Sequence, residues 1–128
     1  MANGNCVLLT VHGSTHAEAR AAAKRFEGFL QAQRLECLVR VCFLRTSEPS
    51  LVDALEQAGQ QGMRRILIVP LFVFPGQHIT EEIPAVVERF QQTHPGVTVE
   101  VLPALGEIPA FGQWVARLLQ ECLAGRGW

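Results

Sequence analysis

Four short apolar runs alternate along the chain with four stretches whose apolar residues recur at helical spacing. Cys6 to Val11 is a short apolar run of strand length. The stretch after it carries Ala19, Ala22, Ala23, Phe26 and Leu30 along one side, and Thr15 with Glu18 stands in capping-box register before it. Leu38 to Leu44 reads as a second strand, interrupted by Arg40. Pro49 is placed to open a helix with Leu51, Leu55 and Ala58 on one face and Gly62 at its end. Ile66 to Phe74 is the third and longest apolar run. Beyond Pro75-Gly76, Thr80 is expected to cap a helix with Glu81 and Glu82 in its first turn. Its buried stripe is Ile83, Val86, Val87 and Phe90, and His94-Pro95-Gly96 breaks it. Val97 to Leu102 alternates apolar and polar residues, as a half-exposed strand does. A last helix from Pro109 is expected to turn Phe111, Trp114, Val115, Leu118, Leu119 and Cys122 inward.

Strands alternating with helices imply right-handed crossovers and a parallel sheet covered by helices on both faces. The strand interiors also give an order. The first and third runs hold no charged residue, whereas the second holds Arg40 and the fourth Glu100. Fully apolar strands belong in the middle of such a sheet, so the order 2-1-3-4 is expected, in a single α/β domain spanning residues 1–128. In this order the connections after strands one and three leave in opposite directions, which opens the crevice where open α/β sheets hold ligands. His12 follows strand one and His78 follows strand three. Residues distant in sequence are thereby expected to meet.

Bulk properties narrow the remaining choices. At 128 residues and 48% hydrophobic content the chain can bury a real core and is not a disordered segment. A net charge of −1 without a basic run argues against nucleic acid as a partner. No apolar stretch reaches membrane length, and the start Met1-Ala2-Asn3-Gly4-Asn5 lacks signal-peptide character, so a cytoplasmic protein with no membrane partner is expected. Cys6, Cys37, Cys42 and Cys122 form no CxxC pair and read as buried reduced thiols. Lys24 is the single lysine among eleven basic residues. The arginine fork suits carboxylate ligands, although a GC-rich coding bias gives the same excess.

Two neutral imidazoles at one crevice are good donors to cobalt, nickel, iron or zinc, and each can take up a proton near neutrality. No closed set of four ligands is present, so the expected site is open and exchangeable, with His12, His78 and help from Glu81 or Glu82. Such a site suits a metal that is handed on. Other readings of the same residues stay open: hydrogen-bonded structural histidines, helix-start charges at Glu81 and Glu82, or an anion-binding turn at Gly13-Ser14. His16 and His94 lie at helix boundaries and are expected on the surface.

Val11-His12-Gly13-Ser14 resembles the "GHGS" of the small-form sirohydrochlorin cobaltochelatases of CbiX type. Cys42-Phe43-Leu44 followed by Glu48-Pro49-Ser50-Leu51 is similar to their "FLE…PSL" segment. Val69-Pro70-Leu71-Phe72, Gly76-Gln77-His78 and Glu82-Ile83-Pro84 resemble "PLFL..G.H….DIP", and Leu105-Gly106 also has a counterpart. The resemblance implies a chelatase-like domain that works as a homodimer. It implies insertion of a divalent metal into sirohydrochlorin or a related tetrapyrrole, on routes such as those to cobalamin or sirohaem. Cobalt would be the metal substrate, with nickel or iron as alternatives, and no organic cofactor is implied. By position, His12 and His78 would bind the metal and accept pyrrole protons, and Glu82 would support His78 or the metal. Ser14, Arg45 and Gly76 would meet the substrate, Arg45 through its carboxylates, with Arg20 a second candidate.

Three positions depart from the family pattern: Val11 for glycine, Thr15 for arginine, and Arg45 for the glutamate of "FLE". The last removes an acid and adds a charge that opposes cation binding. A non-catalytic metal or tetrapyrrole binder derived from a chelatase is therefore the alternative. The segment also loosely resembles the "RHG" histidine phosphatases, but Val11 stands where those need arginine.

Overall fold

Residues 3–128 are described by a computed structural model. Strands β1 (Asn5–Val11), β2 (Leu38–Phe43), β3 (Arg65–Pro70) and β4 (Thr98–Val101) alternate with helices α1 (Ala17–Gln31), α2 (Leu51–Gln60), α3 (Ile83–Thr93) and α4 (Pro109–Gly125). The sheet is parallel throughout and its order is β2-β1-β3-β4, as Arg40 and Glu100 led one to expect. β1 is the hub. Its residues pair with β2 from Cys6–Leu38 to Val11–Phe43 and with β3 from Asn5–Arg65 to Thr10–Pro70.

Alternation of side chains divides the core between the two faces of the sheet. On one face Cys6, Leu8, Cys42, Ile66 and Ile68 pack against Leu51, Ala54, Leu55 and Ala58 of α2 and Ile83, Val87 and Phe90 of α3. On the other, Leu9, Val39, Val41 and Phe43 pack with Val7, Val69, Leu71 and with Ala23 and Leu30 of α1. Edge strand β2 is also tied to α1 through its main chain: the Val41 N–H donates to Glu27 Oε2 at 2.6 Å, and Gln31 donates to the Val39 carbonyl at 2.8 Å. These bonds occupy backbone groups that an open edge would expose. Thr10, fully buried, lies 3.4 Å from both the Leu8 carbonyl and Cys42 Sγ.

Helix starts differ from the sequence reading. α1 begins at Ala17 with His16 at its boundary, and no side chain caps it there, so Thr15 and Glu18 form no capping box. Instead, Ser14 Oγ accepts the His16 N–H at 2.9 Å. α2 opens at Leu51, where Ser50 Oγ accepts the Asp53 N–H at 3.0 Å and displaces Pro49 from the expected first position. β3 stops at Pro70, where proline offers no N–H and the β4 pairing has ended at Ile68–Val101; Leu71 still donates to the Thr10 carbonyl at 2.8 Å, and the segment beyond it leaves the sheet.

Two faces are more exposed than their periodicity suggests. Ala19, Ala22 and Phe26 of α1 are exposed. α4 buries no residue; Trp114 (51%), Leu118 (41%) and Leu119 (53%) stand open to solvent, and the helix rests chiefly on the 3-10 turn Leu105–Glu107. Periodicity reveals an apolar stripe but not whether the same chain covers it. Two of the thiols also depart from expectation: Cys6 and Cys42 are buried, while Cys37 and Cys122 are partly exposed, and all four are unpaired. Burial pushes Cys6 and Cys42 up to about 11, so both stay protonated at neutral pH.

The core's dependence on β1 has a direct check. Leu8 is fully buried at the centre of the larger cluster. Leu8→Ala is expected to destabilise the fold by about 2–5 kcal/mol, read as a lower urea midpoint at unchanged slope.

Candidate active site

The site lies at the carboxyl ends of β1 and β3, where three connecting segments converge. Immediately after β1, Val11 and His12 lend their carbonyls to the segment after β2: the Leu44 N–H donates to Val11 at 2.9 Å and the Arg45 N–H to His12 at 2.7 Å. Gly13 makes this approach feasible. Its φ is +108°, and a Cβ there would stand 1.8 Å from the Arg45 carbonyl oxygen. Ser47 Oγ adds a bond to the Ser14 carbonyl at 2.9 Å, and Arg20 reaches the same carbonyl at 3.2 Å. Arg20 therefore braces the loop.

The segment after β3 is anchored from the opposite side. Leu105 and Gly106 donate their N–H groups to the carbonyls of Phe72 and Val73 at 2.8 and 2.7 Å. A Cβ on Gly106 would lie 2.4 Å from the Val73 oxygen, so the sheet-exit loop and the loop after β4 fit only with glycine between them. The chain then turns at Gly76, whose carbonyl accepts the N–H groups of Ile79 and Thr80, each at 3.0 Å, and Thr80 Oγ1 at 3.1 Å. Thr80 thus bonds backwards and does not cap α3. A π-helical turn, His78–Glu82, leads into α3 in its place. Such turns are rare and occur often at functional sites.

His12 and His78 come together as the sheet order requires. Their ring centroids are 4.9 Å apart with an interplanar angle of 70°. Phe72 stacks on His78, centroids 6.2 Å apart and 21° from parallel. Phe72 escaped the sequence reading, although its place in the apolar run six residues before His78 was a usable signal. His16 and His94 stay outside the site. His94 is half-buried rather than on the surface: it stacks on Phe90 at 4.2 Å, over Gly59, which has no side chain to obstruct it.

Behind the imidazoles stands a charged pair. Arg45 grips Glu82 with both ends of its guanidinium: Nη1 bonds Oε2, and Nη2 bonds Oε1 at 2.9 Å. Glu82 Oε1 is also 2.8 Å from His78 Nδ1. The guanidinium holds the Glu82 carboxyl below the usual carboxylate range; burial opposes this and the bond to His78 adds to it. A carboxylate on Nδ1 fixes the imidazole so that Nε2 keeps its lone pair for a ligand. Glu82, expected to support His78 or the metal, contacts His78 through Nδ1. Among the described residues no three His, Cys, Asp or Glu side chains gather as a metal-holding set. Of the residues expected to meet substrate, Ser14 commits its hydroxyl to the His16 N–H, Gly76 anchors the turn through its carbonyl, and Arg45 is half-exposed at the rim.

Fold and site together define a class: an open parallel α/β domain with two imidazoles at its switch point and no closed metal cage. The chain belongs to the CbiX family, whose model matches residues 6–122. The chloroplastic sirohydrochlorin ferrochelatase of Arabidopsis thaliana is 25% identical over 118 residues, covering 92% of this chain and 52% of that one. The sirohydrochlorin cobaltochelatase of Methanocaldococcus jannaschii is 27% identical over 88 residues, covering 69% of this chain and 62% of that one. A cobalamin (vitamin B12) biosynthesis CbiX protein from Marinobacter aquaeolei VT8 superposes with a TM-score of 0.77 at 27% identity, covering 94% of this chain and 98% of that one. The chain thus spans between about half and three-fifths of the length of these two curated relatives.

Gly13→Ala tests the interlock. The strained φ and the collision with Arg45 are expected to lower stability by about 1–3 kcal/mol. Faster hydrogen exchange at the Arg45 amide, measured by NMR, should accompany that loss.

Proposed function

We propose that the chain inserts a divalent metal, with cobalt the preferred one, into sirohydrochlorin or a closely related tetrapyrrole. The observation that carries this reading is the meeting of His12 and His78 at the crevice, rings 4.9 Å apart. The names of the relatives support it: sirohydrochlorin is common to both, while one is a ferrochelatase and the other a cobaltochelatase. Iron is accordingly the second candidate, and the donor set suits either, because imidazole accepts both.

The chemistry needs a weakly held metal and a base for departing protons. Two Nε2 lone pairs hold a divalent ion without a cage, so the metal can pass to the macrocycle nitrogens. As it moves, the macrocycle loses two N–H protons and each vacated Nε2 is free to accept one. Glu82, 2.8 Å from Nδ1, holds the His78 ring so that Nε2 faces the ligand side. Phe72 stacks on the His78 ring and offers an apolar surface beside it to a flat ligand. Arg45 supplies a fork for a substrate carboxylate. Ser14 and Gly76 shape the rim through their loop bonds.

A second copy of the chain completes the reading. The imidazole site is open on its outer side. The exposed stripe Trp114, Leu118 and Leu119 is the apolar face that a homodimer would bury. Four unpaired thiols fit a reducing compartment such as the cytoplasm. No described helix is long and apolar enough to cross a membrane.

The binder alternative has one observation in its favour, the Arg45 cation held against the site. The two readings separate in a stopped-flow assay with sirohydrochlorin and Co2+. The chelatase reading expects a metal-dependent spectral change that falls about 100-fold or more in His78→Ala and in His12→Ala. Tight tetrapyrrole binding with no insertion above the uncatalysed rate would establish the binder instead. For the dimer, light scattering is expected to give twice 14.1 kDa, and Leu118→Glu with Leu119→Glu to give the monomer. A monomeric parent protein would count against it.

A further inference from the structure

Arg45 is attached at both ends. Its main chain is bonded to the His12 carbonyl at 2.7 Å and packed against Gly13, and its guanidinium grips Glu82, which itself lies 2.8 Å from His78. One side chain therefore spans both histidine-bearing segments. With the guanidinium in place both oxygens of Glu82 are occupied, and its charge is neutralised just where it would otherwise strengthen His78 as a donor. Yet its side chain is 48% exposed, so its tip can swing out without disturbing packing.

We propose that Arg45 is a latch that makes metal binding conditional on a polycarboxylate ligand. This rests on the reading of His12 and His78 as the metal donors. Alone, the site holds a divalent ion weakly because Arg45 occupies Glu82. A ligand carboxylate offers the guanidinium an equivalent bidentate partner, draws it off Glu82, and leaves that carboxylate free to support His78. Ligand and metal then bind with positive coupling, and by linkage each raises the other's affinity by the same factor. Arg45 acts through Glu82 and is a positioning residue.

Calorimetric titration with Co2+ alone tests the latch. Arg45→Gln is expected to tighten Co2+ binding about tenfold, and Arg45→Lys, which keeps the charge but loses the fork, to fall between it and the parent. In a Glu82→Gln background, Arg45→Gln is expected to change Co2+ affinity little, because the carboxylate it releases is gone. A purely structural Arg45 would not give that dependence. Metal-free uroporphyrin I, followed by its fluorescence, supplies the carboxylates and is expected to bind more weakly to Arg45→Gln. Unchanged or weaker Co2+ binding in Arg45→Gln, while His78→Ala still abolishes it, overturns the latch and leaves the metal site standing. Co2+ binding indifferent to both His12→Ala and His78→Ala overturns the metal reading, and the latch with it.

Discussion

Strand β1 hydrogen-bonds to β2 on one side and β3 on the other, and the site depends on that double pairing. Three chain segments leave the sheet side by side because their strands end side by side. The pairing extends beyond the strands: the carbonyls of Thr10, Val11 and His12 accept from Leu71, Leu44 and Arg45. Residues of very different sequence position are thus brought into one crevice by a continuous ladder. Few side-chain contacts are needed to keep them there, and the apolar faces beneath supply the cohesion.

The electrostatic arrangement is layered. Two imidazoles stand at the crevice, a carboxylate bonds one of them, and a guanidinium bonds that carboxylate. Each layer sets the state of the one in front. That ordering separates this chain from a closed structural metal site, where ligands bind the ion outright. The arginine stands beside two imidazoles with its charge matched to Glu82.

Much of this could be read from the residues. Arg40 and Glu100 marked the edge strands, which fixed the order of the sheet, and the order made neighbours of His12 and His78. Arg45 and Glu82 were each legible as site residues, but not as partners. Their contact depends on the π-helical turn after Gly76, where Thr80 bonds backwards, and sequence patterns for helix starts assume an ordinary α-helical cap. Ser14 was read as substrate-facing from the family-like motif and Arg20 from the arginine fork; in the fold Ser14 Oγ accepts the His16 N–H and Arg20 donates to the Ser14 carbonyl, bonds the motif does not encode. α4 showed the opposite limit. Its apolar stripe is real, but what covers a stripe is a property of packing, and one chain's periodicity carries no record of it.

The loops that carry the site are held by main-chain bonds, Leu44 to Val11, Arg45 to His12, Leu105 to Phe72 and Gly106 to Val73, with glycine at the two closest approaches. None of these bonds uses the side chain of residue 12, 45, 78 or 82. Scaffold and reagent are therefore written in separate parts of the chain. Side chains at those four positions can be exchanged without removing any of the bonds that hold the frame. The fold behaves as a fixture into which different chemistries can be fitted.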